Sequence, residues 1–454
     1  MGTSALGQFF AVSIFLLMFI VIITNKWPRY IPALAGGALT IIVVFLAIMK
    51  SPATAVRALN VGQLIQPAFW APGHKPLESV GVNWQTIIFI AGMMIMVEGL
   101  GHVGFFRWLC LYVARMVKYK AVSILVAFIL LSGFLAMFID SITVLLFLAT
   151  VTIELARLLK FDPVPVIIAE IFASNVGGSA TMSGDPPNII IGTALGYSFL
   201  DFLKNTGVIA WIGMIATLLI FYFVFRKSLK ASQRSVHSDP GQYPDPEKAI
   251  ADPRLFKVYI AVFFLVIALL ITHAQTGISV ASIGCIAAGL TLLFGLKNAS
   301  LIVKKIDWRT LVFFFGLFVC VGGLEQTGAL TTLAHFIGRI SGGSFIVVMS
   351  IILWISAFSS AIVDNIPFAA TMVPVIRGLA GAGMPLPPLA WALALGTDIG
   401  GNGTPIGASA NVVGTAIAEK EGYPISWGRF CKYAMPAMIL VVGICWLLLV
   451  IRYA

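Results

Sequence analysis

Apolar runs separated by short polar turns fill this chain. Phe9 to Ile23, Ile31 to Met49, Leu218 to Phe225, Tyr259 to Ile271 and Met435 to Ile451 approach, with their flanks, the roughly 20 residues that a bilayer crossing needs. The pattern predicts crossings near 8–24, 30–49, 84–104, 163–199 with a break, and 207–226. A second set follows near 257–273, 279–296, 308–326, 386–419 with a break, and 433–452. Segments 121–158 and 345–380 each hold enough apolar residues for two helices but no polar loop, only Asp140-Ser141 in one and Asp364-Asn365 in the other. Such a turn reads as a re-entrant hairpin whose tip is held inside protein, where non-helical backbone is tolerated.

The two sets are copies. VNWQTIIFIAGMMIMVEGL from residue 82 reappears as IDWRTLVFFFGLFVCVGGL from residue 306, an offset of 224 that also carries FIDSIT onto IVDNIP and Asp140 onto Asp364. NVGGSATMSGDPPN, from Asn175, aligns with DIGGNGTPIGASAN, from Asp398, at an offset of 223. The chain is thereby divided into a first repeat at 1–226, a polar, proline-bearing cytoplasmic linker at 227–256, and a second repeat at 257–454. Five crossings per half is an odd number, so the second half lies upside down relative to the first. The fold class expected is an all-α polytopic membrane protein, an inverted repeat of two five-crossing halves, each with a re-entrant hairpin and a broken helix.

Composition agrees: 59% of residues are hydrophobic and only 10% are charged, against about 25% charged in soluble proteins. The start has no basic n-region and no small-residue cleavage site before Asn25, so the first run is expected to stay as a helix. The net charge of +11 reports topology rather than nucleic acid. With both termini outside, 22 of the 29 Lys and Arg residues fall on the cytoplasmic side, as the positive-inside rule expects. The five cysteines and five histidines show no metal-ligand spacing, and there is no Walker A loop. Energy must then come from an ion gradient or a separate ATPase subunit, between which the sequence does not decide.

A helix broken at membrane depth exposes backbone groups that only protein, water or a ligand can satisfy. Gly177, Gly178, Gly184, Gly400, Gly401, Gly403 and Gly407 permit close backbone approach, and Pro186, Pro187 and Pro405 keep the helix from closing. Asp140 and Asp364 sit symmetrically where a carboxylate is costly; each is also well placed to cap the helix that leaves its tip. Asp185 and Asp398 lie in the breaks, and Glu170 in the first half of a broken helix is a further protonation candidate. The topology places no Lys or Arg at membrane depth. Acids without bases suit protons, a metal cation or a neutral hydroxylated solute.

NVGGSATMSGDPPNIIIG, DNIPFAATMVPVI and GGNGTPIGASANVVGTAIAEKEGYPISWGRF resemble the broken-helix and hairpin motifs of the arsenite permease and P-protein family, within the ion transporter superfamily. The resemblance implies a transport domain of hairpins, broken helices and final helices that moves, elevator-fashion, against a scaffold of the first three helices of each half. It also implies a central site comprising Asp140, Ser141, Thr143, Asn175, Ser179, Thr181, Asp185 and Asn188, with Asp364, Asn365, Asp398, Asn402, Thr404, Ser409 and Asn411. The tips read Asp-Ser-Ile-Thr and Asp-Asn-Ile-Pro, departing from the Ser-Asn-Thr signature of the sodium-coupled dicarboxylate branch.

The function expected is secondary active export of arsenite or antimonite across the cytoplasmic membrane by proton antiport, with no cofactor and no catalysis. Asp140 or Asp364 is the preferred proton carrier. The partners expected are the small inorganic solute and the lipid bilayer. A sodium/proton antiporter or anion carrier of the same superfamily is the alternative. An intramembrane aspartyl protease is disfavoured because FID and MSGD do not match the YD and GxGD signatures.

Overall fold

The structure is a computed structural model that describes residues 2–24, 26–71, 81–233 and 243–453. Lys75, His74 and the linker centre with Arg234 and His237 lie outside the described residues. Among those described, all regular structure is helical.

The first repeat opens with α1 (Gly2–Ile23) and α2 (Tyr30–Leu39), which continues as a π-helix over Thr40–Ile48. After three short helices comes α3 (Trp84–His102), capped by Asn83 through Thr86 N. Gly104, at φ +85°, turns the chain into α4 (Phe105–Met116). Hairpin 1 is α5 (Ala121–Ala136) and α6 (Ser141–Leu159). The broken helix is α7 (Val164–Gly178) and α8 (Pro186–Leu195), and α9 (Val208–Gln233) closes the repeat.

The second repeat follows the same order. It comprises α10 (Pro253–Thr276), α11 (Val280–Phe294), α12 (Trp308–Gln326), α13 (Ala329–Ile340), hairpin 2 as α14 (Phe345–Ile362) and α15 (Asn365–Gly381), the broken helix as α16 (Leu386–Gly400) and α17 (Ser409–Lys420), and α18 (Trp427–Tyr453). Asp307 caps α12 as Asn83 caps α3, and Gly328 at φ +79° repeats Gly104. Among the described residues, nine helices, or ten counting one pair bent by 97° after Phe294, are long and apolar enough to cross a membrane.

Two differences from expectation have simple causes. The linker is shorter at its start, because α9 runs on to Gln233 through RKSLKASQ, whose residues are good helix formers. Neither α4 nor α13 was expected; both are amphipathic, and their charged faces read in sequence as loop.

Helices pair across the repeats. Within what the resemblance implies to be the scaffold, α3 packs on α11 and α12 on α2. A Cβ on Gly92 would lie 2.1 Å from the Gly284 carbonyl oxygen, so backbone touches backbone at the α3–α11 crossing. In the other body α7 lies against α5 and α16 against α14, while the second half-helices cross over, α8 onto α15 and α17 onto α6. Every residue of α7 and all from Pro388 to Gly400 in α16 are buried. Neither helix, at 15 residues, meets the bilayer length, but both are enclosed by protein.

Candidate functional site

Each hairpin tip is a capped helix start. Asp140 accepts from Thr143 N at 3.0 Å and Thr143 Oγ1 at 2.7 Å; Asp364 accepts from Ile366 N at 3.0 Å. The tips are tied to the breaks by matching bonds: Thr181 Oγ1 donates to the Met137 carbonyl and Thr404 Oγ1 to that of Ala361. Asn188 Nδ2 bridges the gap in the first broken helix, donating to Gly178 O at 2.9 Å and Thr181 O at 3.0 Å. Asn411 Nδ2 does the same for Gly401 O and Thr404 O, at 2.8 and 2.7 Å. These bonds satisfy carbonyls that the breaks would otherwise strand.

Between the repeats the bonds are asymmetric. Asp185 accepts from Ser141 Oγ at 3.0 Å and, across the repeat boundary, from Asn365 Nδ2 at 2.8 Å. Asn175 Nδ2 donates to Asn402 Oδ1 at 2.9 Å and Asn411 Oδ1 at 2.8 Å. Both tips and both breaks therefore meet at one point. A void of about 20 Å³ remains there, lined by Asp140, Asn175, Asp185, Asn365 and Ser409 among others. It adjoins a cavity of about 380 Å³ between the two bodies, with Asp140, Ile142, Pro186, Ile366 and Ser409 common to both linings. The cavity's scaffold wall holds Arg29, Tyr30, Met93, Met94, Asp307, Arg309 and Phe313.

Residues 19–396 match the citrate transporter family, CitMHS. This chain belongs to that family. It is a member of the ion transporter superfamily, and hence a multi-pass membrane transporter. An uncharacterized transporter of Mycobacterium tuberculosis strain H37Rv is 31% identical over 98% of both chains. The P protein of Homo sapiens is 30% identical, covering 83% of this chain and 55% of that protein. The YdaH transporter of Alcanivorax borkumensis has a similar fold, with a TM-score of 0.58 at 13% identity over 98% of both chains. The resemblance to P proteins read from the motifs thus lies within the superfamily that the family match shows.

One reading of this CitMHS chain changes. The deep acids were read as acids without bases, but Arg29, at the start of α2, forms an ion pair with Asp364 and donates to Ser409 Oγ at 3.1 Å. A basic residue beside a turn reads as a surface charge in sequence; only the packing of hairpin 2 on α12, which itself lies on α2, brings it onto the tip. Arg309 and Asp307 were likewise not singled out, although the repeat itself marks 306–310 as equivalent to 82–86.

The other expected residues separate into two groups. Asp140, Ser141, Asn175, Asp185, Asp364, Asn365, Asn402, Ser409 and Asn411 converge on the centre or bond to groups that do. Thr143, Ser179, Thr181, Asn188 and Thr404 hold helix ends and breaks, Ser179 through Val176 O at 2.7 Å. Glu170 stands apart from both openings: its Oε1 accepts from Thr152 Oγ1, its Oε2 has no partner, and Cys110 is nearby. Asp398 is wholly buried, facing Asp185 and Asn188.

Proposed function

We propose that this transporter carries a small organic anion by proton-coupled secondary transport, with hairpins, broken helices, α9 and α18 moving as one body past the scaffold. The observation that carries this reading is Arg29, a guanidinium supplied by the scaffold to a hairpin-tip carboxylate at the wall of the cavity. A solute carboxylate can take the place of Asp364 on it, since the planar fork of arginine suits carboxylates. Citrate, which gives the family its name, has that chemistry. The interlocked packing of the broken helices supports motion as a unit, because sliding one repeat would tear its second half-helix from the other's hairpin.

By the charge map, Arg29 and Arg309 lie toward the cytoplasm, so the cavity opens inward, and both termini lie outside the cytoplasmic membrane. A coupled proton adds about 2.3 kcal/mol per 100 mV for each charge moved across the membrane.

Proton-driven export of arsenite or antimonite is the second reading. It is favoured by the amide, hydroxyl and carboxyl lining of the inner void, which suits a neutral hydroxylated solute. Purified protein in liposomes separates the two. Labelled citrate should accumulate saturably under an imposed pH gradient. Arg29→Gln should reduce that accumulation about tenfold or more, the scale of one charge-assisted contact. Flux of As(III) that depends on the pH gradient but is indifferent to citrate and to Arg29→Gln would instead select the second reading.

A further inference from the structure

Among the described residues, the least satisfied carboxylate is not at a hairpin tip. Asp398 has no exposed surface, and neither of its carboxylate oxygens has a hydrogen-bond partner. A buried carboxylate in that condition has lost its hydration and gained nothing in exchange. The other central aspartates are provided for: Asp140 by Thr143, Asp364 by Ile366 and Arg29, Asp185 by Ser141 and Asn365.

Donors are scarce around Asp398. Asn188 faces it, but the Asn188 nitrogen is already committed to the carbonyls of Gly178 and Thr181, at 2.9 and 3.0 Å. Elsewhere in the centre the side-chain oxygens of Asn188 and Asn175 are also buried without a donor. One added proton would remove the charge on Asp398 and turn one of its oxygens into a donor.

The ionisable group facing Asp398 is Asp185. Of the elements packed on α16, α14 carries no ionisable side chain, and α15 offers Asp364, already held by Arg29, and Arg377 at its far end. Glu170 on α7 is held by Thr152; α18 offers buried Cys445 and the charges and tyrosines of its two ends, and segment 203–207 the exposed Lys204.

We infer that Asp398, with Asp185 as its relay to the void, is where the coupling proton is carried, and that the tip aspartates are builders of the site rather than proton carriers. This rests on the proton-coupled reading above. Asp185 lines the void and so meets the cavity side; a proton accepted there passes to Asp398, one carboxyl losing it as the other gains it. Release leaves an unpaired buried anion, so it is favourable only when the breaks rearrange, which ties proton release to movement of the body.

Infrared difference spectroscopy on purified protein after a pH jump tests this without any transport. The expected result is a protonated-carboxyl C=O band that disappears in Asp398→Asn and returns in Asp398→Glu, with Asp398→Asn melting no lower than the parent. In liposomes, Asp398→Asn should still exchange citrate for citrate but lose about tenfold or more of the accumulation driven by a pH gradient. A band untouched by Asp398→Asn but lost in Asp140→Asn or Asp364→Asn overturns the assignment. So does a stabilisation by Na+, absent with choline, that Asp398→Asn abolishes, since the cage then holds a metal cation. The band vanishing in Asp398→Asn while citrate fails to accumulate upholds the assignment and sinks the transport reading instead.

Discussion

Asp140 and Asp364 occupy equivalent positions and do different work. Each caps the outgoing arm of its hairpin, but only Asp364 also holds a cation, Arg29. Asp140→Ala should therefore cost about 1 kcal/mol of stability through the lost cap, and Asp140→Asn only a few tenths; thermal melts of the purified variants would show it. Asp364→Asn keeps the cap while removing the competitor for Arg29, so equilibrium binding of citrate should tighten several-fold. Unchanged affinity would mean that Arg29 is not a solute contact. Much of this chemistry was legible residue by residue. A carboxylate repeated at one offset in an apolar stretch, followed by a helix-forming run, could be read both as a cap and as a deep acid. Arg29 was not legible, because its partner is 335 positions away and nothing local distinguishes it from a lysine at a membrane surface. The emptiness around Asp398 was equally hidden, since a sequence gives donors and acceptors but not which of them are already spent.

At the scale of elements, the broken helices depend on backbone contact as much as on their polar residues. A Cβ added to Gly177 would lie 2.1 Å from the Gly133 carbonyl oxygen, and one on Gly400 would lie 2.2 Å from Ala357 Cα. Both contacts press the first half-helix onto the incoming arm of its own hairpin, at positions related by the repeat. Gly177→Ala and Gly400→Ala should each destabilise by about 1–3 kcal/mol or more, as overpacking does. Gly289→Ala on α11, with nothing within 4 Å, should be neutral or slightly stabilising. Melting temperatures of the three variants, compared side by side, would check the contrast. The glycines announced the breaks in the sequence because they come in matched clusters with proline. What they touch was not announced, and the linking helices α4 and α13 escaped notice because short amphipathic segments resemble charged loops until their apolar faces find a wall.

For the whole molecule, the question is whether one body moves past the other. Val413 lines the cavity. A single cysteine there, with the accessible Cys285 and Cys431 replaced by serine, should react with an impermeant maleimide from the cytoplasmic face and lose that reactivity when solute and a proton gradient drive the carrier outward. Labelling from one face only, unaffected by solute under any gradient, would count against the moving-body reading. The inverted order of elements could be read from the repeat, since each half crosses an odd number of times. The crossing over of half-helices could not, because periodicity reports which face of a helix is apolar and not whose surface covers it.

That exchange has a consequence for how the protein is made and where it came from. When synthesis reaches residue 226, hairpin 1 lacks α17 and α8 lacks hairpin 2, so the first repeat leaves the ribosome with its central surfaces uncovered and must be held until its counterpart arrives. An ancestor of half this length would have faced the same shortage permanently. It could have been completed only by a second copy of itself inserted the other way up, and joining the two in one gene turned that chance encounter in the bilayer into a certainty.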